Sequence, residues 1–308
     1  MLKINHIVVM SVLGTAVALS ACQPREAQPK EKAQPETTQP QPVEEKLIGD
    51  SEKLNLNLPD CSGNDCAEMT LERLSSNQPF IDQKIDEEIL KQLQQILSVK
   101  PDLAAPQAAS EAAASEVQPL VSAKQTLEQN TKPYLNAFLA LDEEIKALSA
   151  NHQISLMIKP KILNADLPLA TVVLNSSSYL GGAHGSSAQQ YYSFDLKAKK
   201  LVSLNDLVLP KQRAALEQHA HEAFKIWVID SKLANDVAEY EQAWQFKLSE
   251  NYYLGKQGLI LQYAEYEIGP YVVGLPRLTL PYDQLNGILK PQYLPSREAA
   301  ASEVKAKN

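Results

Sequence analysis

The sequence predicts an α+β fold with mainly antiparallel sheets and a few packed helices, preceded by a disordered tether. Three observations carry that expectation. Apolar residues recur at helical spacing in three places: Ile81, Ile85, Ile89, Leu93 and Ile96; Tyr134, Phe138, Leu141 and Ile145; Leu216, Ala220, Phe224 and Trp227. Elsewhere the period falls to two, as in Ile154, Leu156 and Ile158, in Tyr192, Phe194 and Leu196, and in Trp244, Phe246 and Leu248. The runs "GLILQY" and "RLTLP" complete the strand set, with "LGKQG" (Leu254 to Gly258) as a hairpin turn. Strand groups and isolated helices without regular βαβ alternation indicate α+β.

The elements follow in chain order. Residues 1–21 have a basic start at Lys3 and an apolar run from Ile7 to Leu19, too short to span a bilayer, which predicts a secretory signal. Leu19-Ser20-Ala21-Cys22 resembles the bacterial lipobox, whose cysteine is lipidated, so Cys22 is the expected anchor point. Gln23 is not the aspartate that favours retention in the inner membrane, which predicts an outer-membrane anchor facing the periplasm. Residues 22–45 are rich in Pro, Gln, Glu and Lys and nearly free of apolar side chains, so burial cannot offset their ordering entropy: a solvated tether. A first folded region is expected over 46–165, interrupted at 101–119 by an Ala/Ser/Pro/Glu insert, and a second over 166–293. Residues 294–308 form a tail. The string Glu-Ala-Ala-Ala-Ser-Glu-Val occurs at Glu111–Val117 and again at Glu298–Val304, which marks both copies as spacer.

The formal net charge is −8, and loss of the signal's lysine makes it −9. A scattered acidic balance argues against nucleic acid and against docking on anionic lipid, and would complement a strongly basic protein. Of the three cysteines, Cys61 and Cys66 enclose a turn-rich segment in a chain predicted to be exported, and are expected to form a disulfide. Zinc is the rival reading, but no further Cys or His pair lies nearby in sequence.

The search for chemistry returns little. Beyond the signal there are four histidines, His152, His184, His219 and His221. The last two stand two apart on a helix and face apart. No HExxH, GxSxG or phosphate-cradling glycine loop appears, so no catalytic residue, metal or cofactor is predicted. His184 stands out because it lies in Tyr179-Leu180-Gly181-Gly182-Ala183-His184-Gly185 between two strand-like runs. It is either a ligand-binding or acid–base group on a loop, or an imidazole that ties a turn together while Gly181, Gly182 and Gly185 supply positive φ.

That loop, followed by "YYSFDL" and "KKLVSLNDLV", and a second block at Asn251–Leu285 containing Tyr266-Glu-Ile-Gly-Pro-Tyr271, Gly274 and Leu280-Pro281-Tyr282, resemble the hallmark of a bacterial extracellular domain of largely unknown function. It is known from RsiV-type anti-sigma factors, whose outer part binds lysozyme, and from the noncatalytic part of PdaC-type peptidoglycan deacetylases. The upstream region with Cys61, Cys66 and the Ile81–Leu97 helix looks like the companion domain that precedes it. The chain lacks a sigma-binding segment and a deacetylase metal domain. The resemblance therefore implies an envelope-anchored, noncatalytic binding module for lysozyme or another peptidoglycan-associated ligand. Its expected surface comprises Tyr179, Gly181, Gly182, His184, Gly185, Tyr266 and Tyr271, which joins the two blocks. A peptidoglycan hydrolase or deacetylase working through His184, or an envelope-assembly component, are the alternatives. Nucleic acid is not an expected partner, and membrane contact is expected through the lipid alone.

Overall fold

The computed structural model describes residues 46–62, 65–99, 121–148, 153–166 and 168–295. The signal, Cys22, the tether, the insert, His152 and the tail beyond Pro295 lie outside the described residues. The fold is α+β. A six-stranded sheet runs in spatial order β1 (Gly49–Lys53), β2 (Glu68–Ser76), β3 (Ser155–Asn164), β4 (Ala170–Tyr179), β5 (Ser186–Asp195) and β6 (Lys200–Val202). Every pairing is antiparallel except β2 with β3. That exception follows from connectivity. Between β2 and β3 the chain forms α1 (Pro79–Leu97), α2 (Ala123–Asn130) and α3 (Lys132–Ala147), and such a crossover lets the next strand return parallel.

The helical stripes bury as their spacing predicts. Ile81, Ile85, Ile89 and Leu93 of α1 and Phe138 of α3 are fully buried against Leu71, Leu156, Ile158, Val172, Leu174 and Phe194 of the sheet. Ser122 starts α2 with a capping box to Gln125 that satisfies two N-terminal amides. On the sheet's other face Met157, Lys159, Lys161 and Leu163 of β3 stay exposed, whereas Thr171 and Val173 of β4 and Tyr191 and Ser193 of β5 are buried.

A second core forms beyond β6. Here α4 (Leu204–Leu207), α5 (Arg213–Asp230) and α6 (Val237–Ala243) pack with a three-stranded antiparallel sheet of β7 (Tyr252–Leu254), β8 (Gly258–Gln262) and β9 (Arg277–Pro281). Leu216, Ala220, Phe224 and Val228 of α5 meet Leu259, Leu261, Leu278 and Leu280. The Leu254-to-Gly258 turn closes the predicted hairpin. One expected strand does not form. Trp244, Phe246 and Leu248 alternate inward against this core, yet residues 245–249 pair with no strand. Tyr263 Oη donates to the Lys247 carbonyl (2.9 Å) and Ser249 Oγ to that of Gln262 (2.7 Å) instead. Alternation reports one-sided burial, which an extended segment held by side chains also satisfies.

Polar and aromatic contacts join the two sheets. Asn251 Oδ1 accepts from the Tyr191 amide (2.9 Å) and its Nδ2 donates to the Gln189 carbonyl (2.7 Å). Tyr191 and Tyr253 stack with centroids 4.4 Å apart. Cys61 and Cys66 form the expected disulfide, Cα to Cα 5.8 Å. One charged cluster is buried: Arg73, 6 % exposed, is held by both Asp86 oxygens and by Glu52.

Candidate functional site

The β4–β5 hairpin places the glycine-rich loop. Its last pair is Ser178 with Ser186, so Tyr179 ends β4 and residues 180–185 make the turn. Gly181 has φ +84°, the left-handed region where glycine is at ease, and a Cβ there would lie 2.7 Å from Ile145 Cδ1 on α3. Only this one of the three glycines uses positive φ. Gly182 is exposed, and a Cβ there would meet only the His184 carbonyl at 3.9 Å, an ordinary contact; at Gly185 a Cβ would come within 3.0 Å of the Ser178 carbonyl, so close backbone approach is what selects glycine there. Gly181→Ala is therefore expected to cost about 1–2 kcal/mol for the backbone alone. Ile145→Ala should relieve the side-chain clash in the double variant but not that backbone cost, as urea unfolding of the four proteins would read.

The segment after β8 comes to this turn. Glu265 accepts from Ser186 Oγ (3.0 Å) and from the Ser187 amide (2.9 Å), which docks residues 264–267 on the start of β5. Tyr266 follows with φ +62°, a conformation rare for a tyrosine, and stays 50 % exposed. Tyr271, at the start of a short 3-10 turn (Tyr271–Val273), donates its hydroxyl to the Gly185 carbonyl at 2.9 Å. His184 lies against Tyr271 and farther from Tyr266, 6.2 Å between ring centroids. Its ring stacks on Tyr271 with centroids 4.0 Å apart and 23° between planes, and Tyr266 lies 5.7 Å from Tyr271 at 28°.

These contacts assign the tautomer. His184 Nδ1 is 3.0 Å from the Gly185 carbonyl, which can only accept, so Nδ1 carries the proton. In the neutral ring Nε2 is then the acceptor, and the Tyr266 hydroxyl 3.0 Å away donates to it. The imidazole's only lone pair is engaged. Among the described residues no group of three His, Cys, Asp or Glu is arranged to hold a metal ion. His219 and His221 do not share a site: His221 pairs with Glu241 at 2.7 Å and stacks on Phe246 at 4.8 Å.

Of the residues singled out in the sequence, His184, Gly185, Tyr266 and Tyr271 are in contact, Gly181 shapes the turn, Tyr179 flanks it, and Gly182 lies exposed within it. Sequence reasoning missed Glu265 and Ile145. Glu265 stands beside Tyr266 in the second block, but nothing local marks which carboxylate crosses a gap of 78 residues to an amide.

Comparison with known proteins bears on the fold. Residues 205–283 match the model of a family described as protein of unknown function, DUF3298. A DUF3298 family protein of Pseudomonas aeruginosa has a similar solved structure, 24 % identical, with a TM-score of 0.57 over 82 % of this chain and 96 % of that one. A member of the same family from Bacteroides fragilis is 16 % identical, with a TM-score of 0.54 over 81 % of this chain and 96 % of that one. Both likenesses concern the fold. No curated protein matches.

Proposed function

We propose that this chain is a noncatalytic binding module of the bacterial envelope, tethered by lipid at Cys22 and facing the periplasm, whose ligand-binding surface is the His184–Tyr271–Tyr266 face. The observation that carries the reading is that face itself: three rings from segments some 80 residues apart, with His184 and Tyr266 each stacked on Tyr271, the first two exposed and Tyr271 half-buried, and fixed by hydrogen bonds to one backbone carbonyl and to one another. Residues held in rare backbone conformations concentrate at functional sites, and Tyr266 is one. Preorganised exposed aromatics give contact area at small entropic cost. The engaged Nε2 favours binding over acid–base work, since a general base needs its lone pair free. The partner class that the acidic charge complements is a strongly basic, peptidoglycan-directed protein such as a lysozyme.

Calorimetric titration of the purified chain with chicken-type lysozyme, at two salt concentrations, tests this. Saturable binding that weakens with salt is expected. His184→Ala should lower the affinity about tenfold or more while unfolding stability changes by about 1 kcal/mol or less, since the ring is exposed. A loss of stability as large as the loss of binding would make His184 a turn-fixing residue instead. Absence of binding to lysozyme and to muropeptides alike would overturn the reading.

A further inference from the structure

We propose that the outer edge of β5 at Ser187–Gln189 is a docking site, separate from the aromatic face, for an extended segment of a partner protein held through its main chain and running parallel to β5. The outward backbone groups of this edge are only partly satisfied. β6 pairs with β5 over residues 193–195 alone, so the first half of β5 has β4 on one side and no strand on the other. Two side chains stand in for the missing strand. Glu265 accepts from the Ser187 amide at 2.9 Å, and Asn251 bonds the Gln189 carbonyl at 2.7 Å and the Tyr191 amide at 2.9 Å. Ser187, Gln189 and Tyr191 therefore turn their backbone groups away from β4, and Ala188 and Gln190 turn theirs toward it. Between the two clamps the Ser187 carbonyl and the Gln189 N–H point outward with no hydrogen-bond partner among the described residues.

That pair of groups selects an orientation. An antiparallel neighbour bonds the N–H and C=O of one and the same residue, and at both Ser187 and Gln189 one of the two is already taken. A parallel neighbour places one residue's N–H on the carbonyl before Ala188 and its C=O on the N–H after it, which are the two groups left. Unpaired edge groups template strand addition, and the clamps on either side confine it here to one residue.

Space and charge agree with a peptide. The edge opens on a cavity of about 420 Å³, within the range of ligand clefts, between residues 188–190 and the segment 247–251, which forms no strand. Gln190 lines it with a carboxamide that makes no hydrogen bond among the described residues. Of the charged groups around it, Glu250 is paired with Arg213 and Glu267 accepts from the Ala264 amide at 2.8 Å. Lys247 is exposed and has no acid partner among the described residues. An extended chain with an acidic residue in the cavity supplies what Ser187, Gln189 and Lys247 lack: an N–H, a carbonyl and a carboxylate.

The probe is the blocked tripeptide acetyl-Thr-Val-Glu-amide, titrated into the full chain while backbone amide resonances and amide exchange are followed. Without peptide the Gln189 amide should exchange fastest of residues 187–191, because the other four are hydrogen-bonded. The peptide should slow that exchange and shift the Gln189 amide saturably. Nuclear Overhauser contacts should place its N-terminal residue near Ser187 and its C-terminal residue near Gln190. Methylating every peptide nitrogen keeps the side chains and carbonyls but removes the donors, and should weaken binding about tenfold or more. Replacing the peptide's glutamate by glutamine should weaken it about three- to fivefold. Lys247→Gln should do the same without changing the melting temperature, because the Lys247 ammonium holds nothing in the fold. Slow exchange of Gln189 in the chain alone, equal binding of the methylated peptide, no binding, or the reverse peptide direction would overturn the proposal. Protection that grows with protein concentration would assign the edge to a second copy of this chain, and shifts confined to His184 and Tyr271 would place the peptide on the aromatic face. This assignment falls in both cases, and in the second the binding-module reading stands.

Discussion

Arg73→Ala is expected to destabilise the protein by about 3–5 kcal/mol. The guanidinium is 7 % exposed at its side chain and its partner Asp86 14 %, and two of its nitrogens reach the Asp86 carboxylate while a third reaches Glu52 at 2.9 Å. Removing the cation strands a largely buried carboxylate between β2 and α1, at the wall of a cavity that Arg73 and Asp86 line together. Even in the intact protein the balance there is narrow. Burial pushes the Asp86 carboxyl above its ordinary range, and the hydrogen bonds and charge of Arg73 only partly offset this; the same carboxylate and Glu52 hold the Arg73 guanidinium above its own usual value against burial. The pair is thus strained on the acid's side, and without Arg73 the Asp86 carboxyl should rise further.

The pH dependence distinguishes a stranded charge from a simple cavity. A carboxyl whose folded pKa exceeds its unfolded value, about 3.9, binds more protons in the native state, so stability increases as pH falls through the folded pKa. Arg73→Ala should accordingly recover part of its loss between neutral pH and about pH 4, where a cavity would show no such recovery. Glu88 acts in the opposite sense. Burial raises it, but hydrogen bonds from Lys84 and Tyr192 outweigh that and leave it below its ordinary value, so its contribution is lost as pH falls through the folded pKa. The comparison must therefore be between variant and parent at each pH. Replacing both residues, Arg73→Met with Asp86→Leu, should restore most of the stability, since no buried charge then lacks a partner. Both tryptophans, Trp227 and Trp244, pack on the second core, far from Arg73 in sequence. If their fluorescence and the circular dichroism of the variant unfold together, the two cores form one cooperative unit.

What could be read from the sequence was what repeats within one element. Ile81 to Leu93, Tyr134 to Ile145 and Leu216 to Phe224 name their helices because burial on one face imposes the 3.6-residue period, and the structure buries these residues almost completely. The same logic misled at Trp244–Leu248, where one-sided burial exists without a ladder. The parallel β2–β3 pair had no local signature, because it depends on where the chain returns after a long crossover. At the candidate site the two marked blocks do meet. The residues that join them, Glu265 to the Ser187 amide and Ile145 beneath Gly181, carry no periodic or compositional mark, because a contact across a long loop leaves no trace in the spacing of either partner.

The other large effect is expected at Gly258. This glycine opens β8 opposite Pro281 of β9, and a Cβ on it would stand 2.1 Å from the Leu280 carbonyl oxygen and 2.7 Å from its carbon. Neither atom can rotate away, so Gly258→Ala must part the two strands at their first pair or shift their register. Both outcomes disturb Leu259 and Leu280, which are fully buried against α5. A loss on the order of 4 kcal/mol follows, and unlike an ordinary overpacking it cannot be relieved by a neighbouring side chain. The consequence reaches the site, because β8 leads directly into Tyr263–Tyr271 and β9 anchors the far end of that segment. Tyr266 and Tyr271 should lose their fixed position against His184, whereas the β4–β5 hairpin that carries His184 belongs to the other sheet and should persist. Fluorescence-detected urea unfolding, which reports the second core through Trp227 and Trp244, should show the full loss. Ring-current shifts of the His184 protons should collapse in Gly258→Ala under conditions where the first sheet remains folded by amide exchange. If those shifts survive at native values, the stack is held by the Glu265 clamp and the Tyr271 bond alone, and the small sheet is not what positions it.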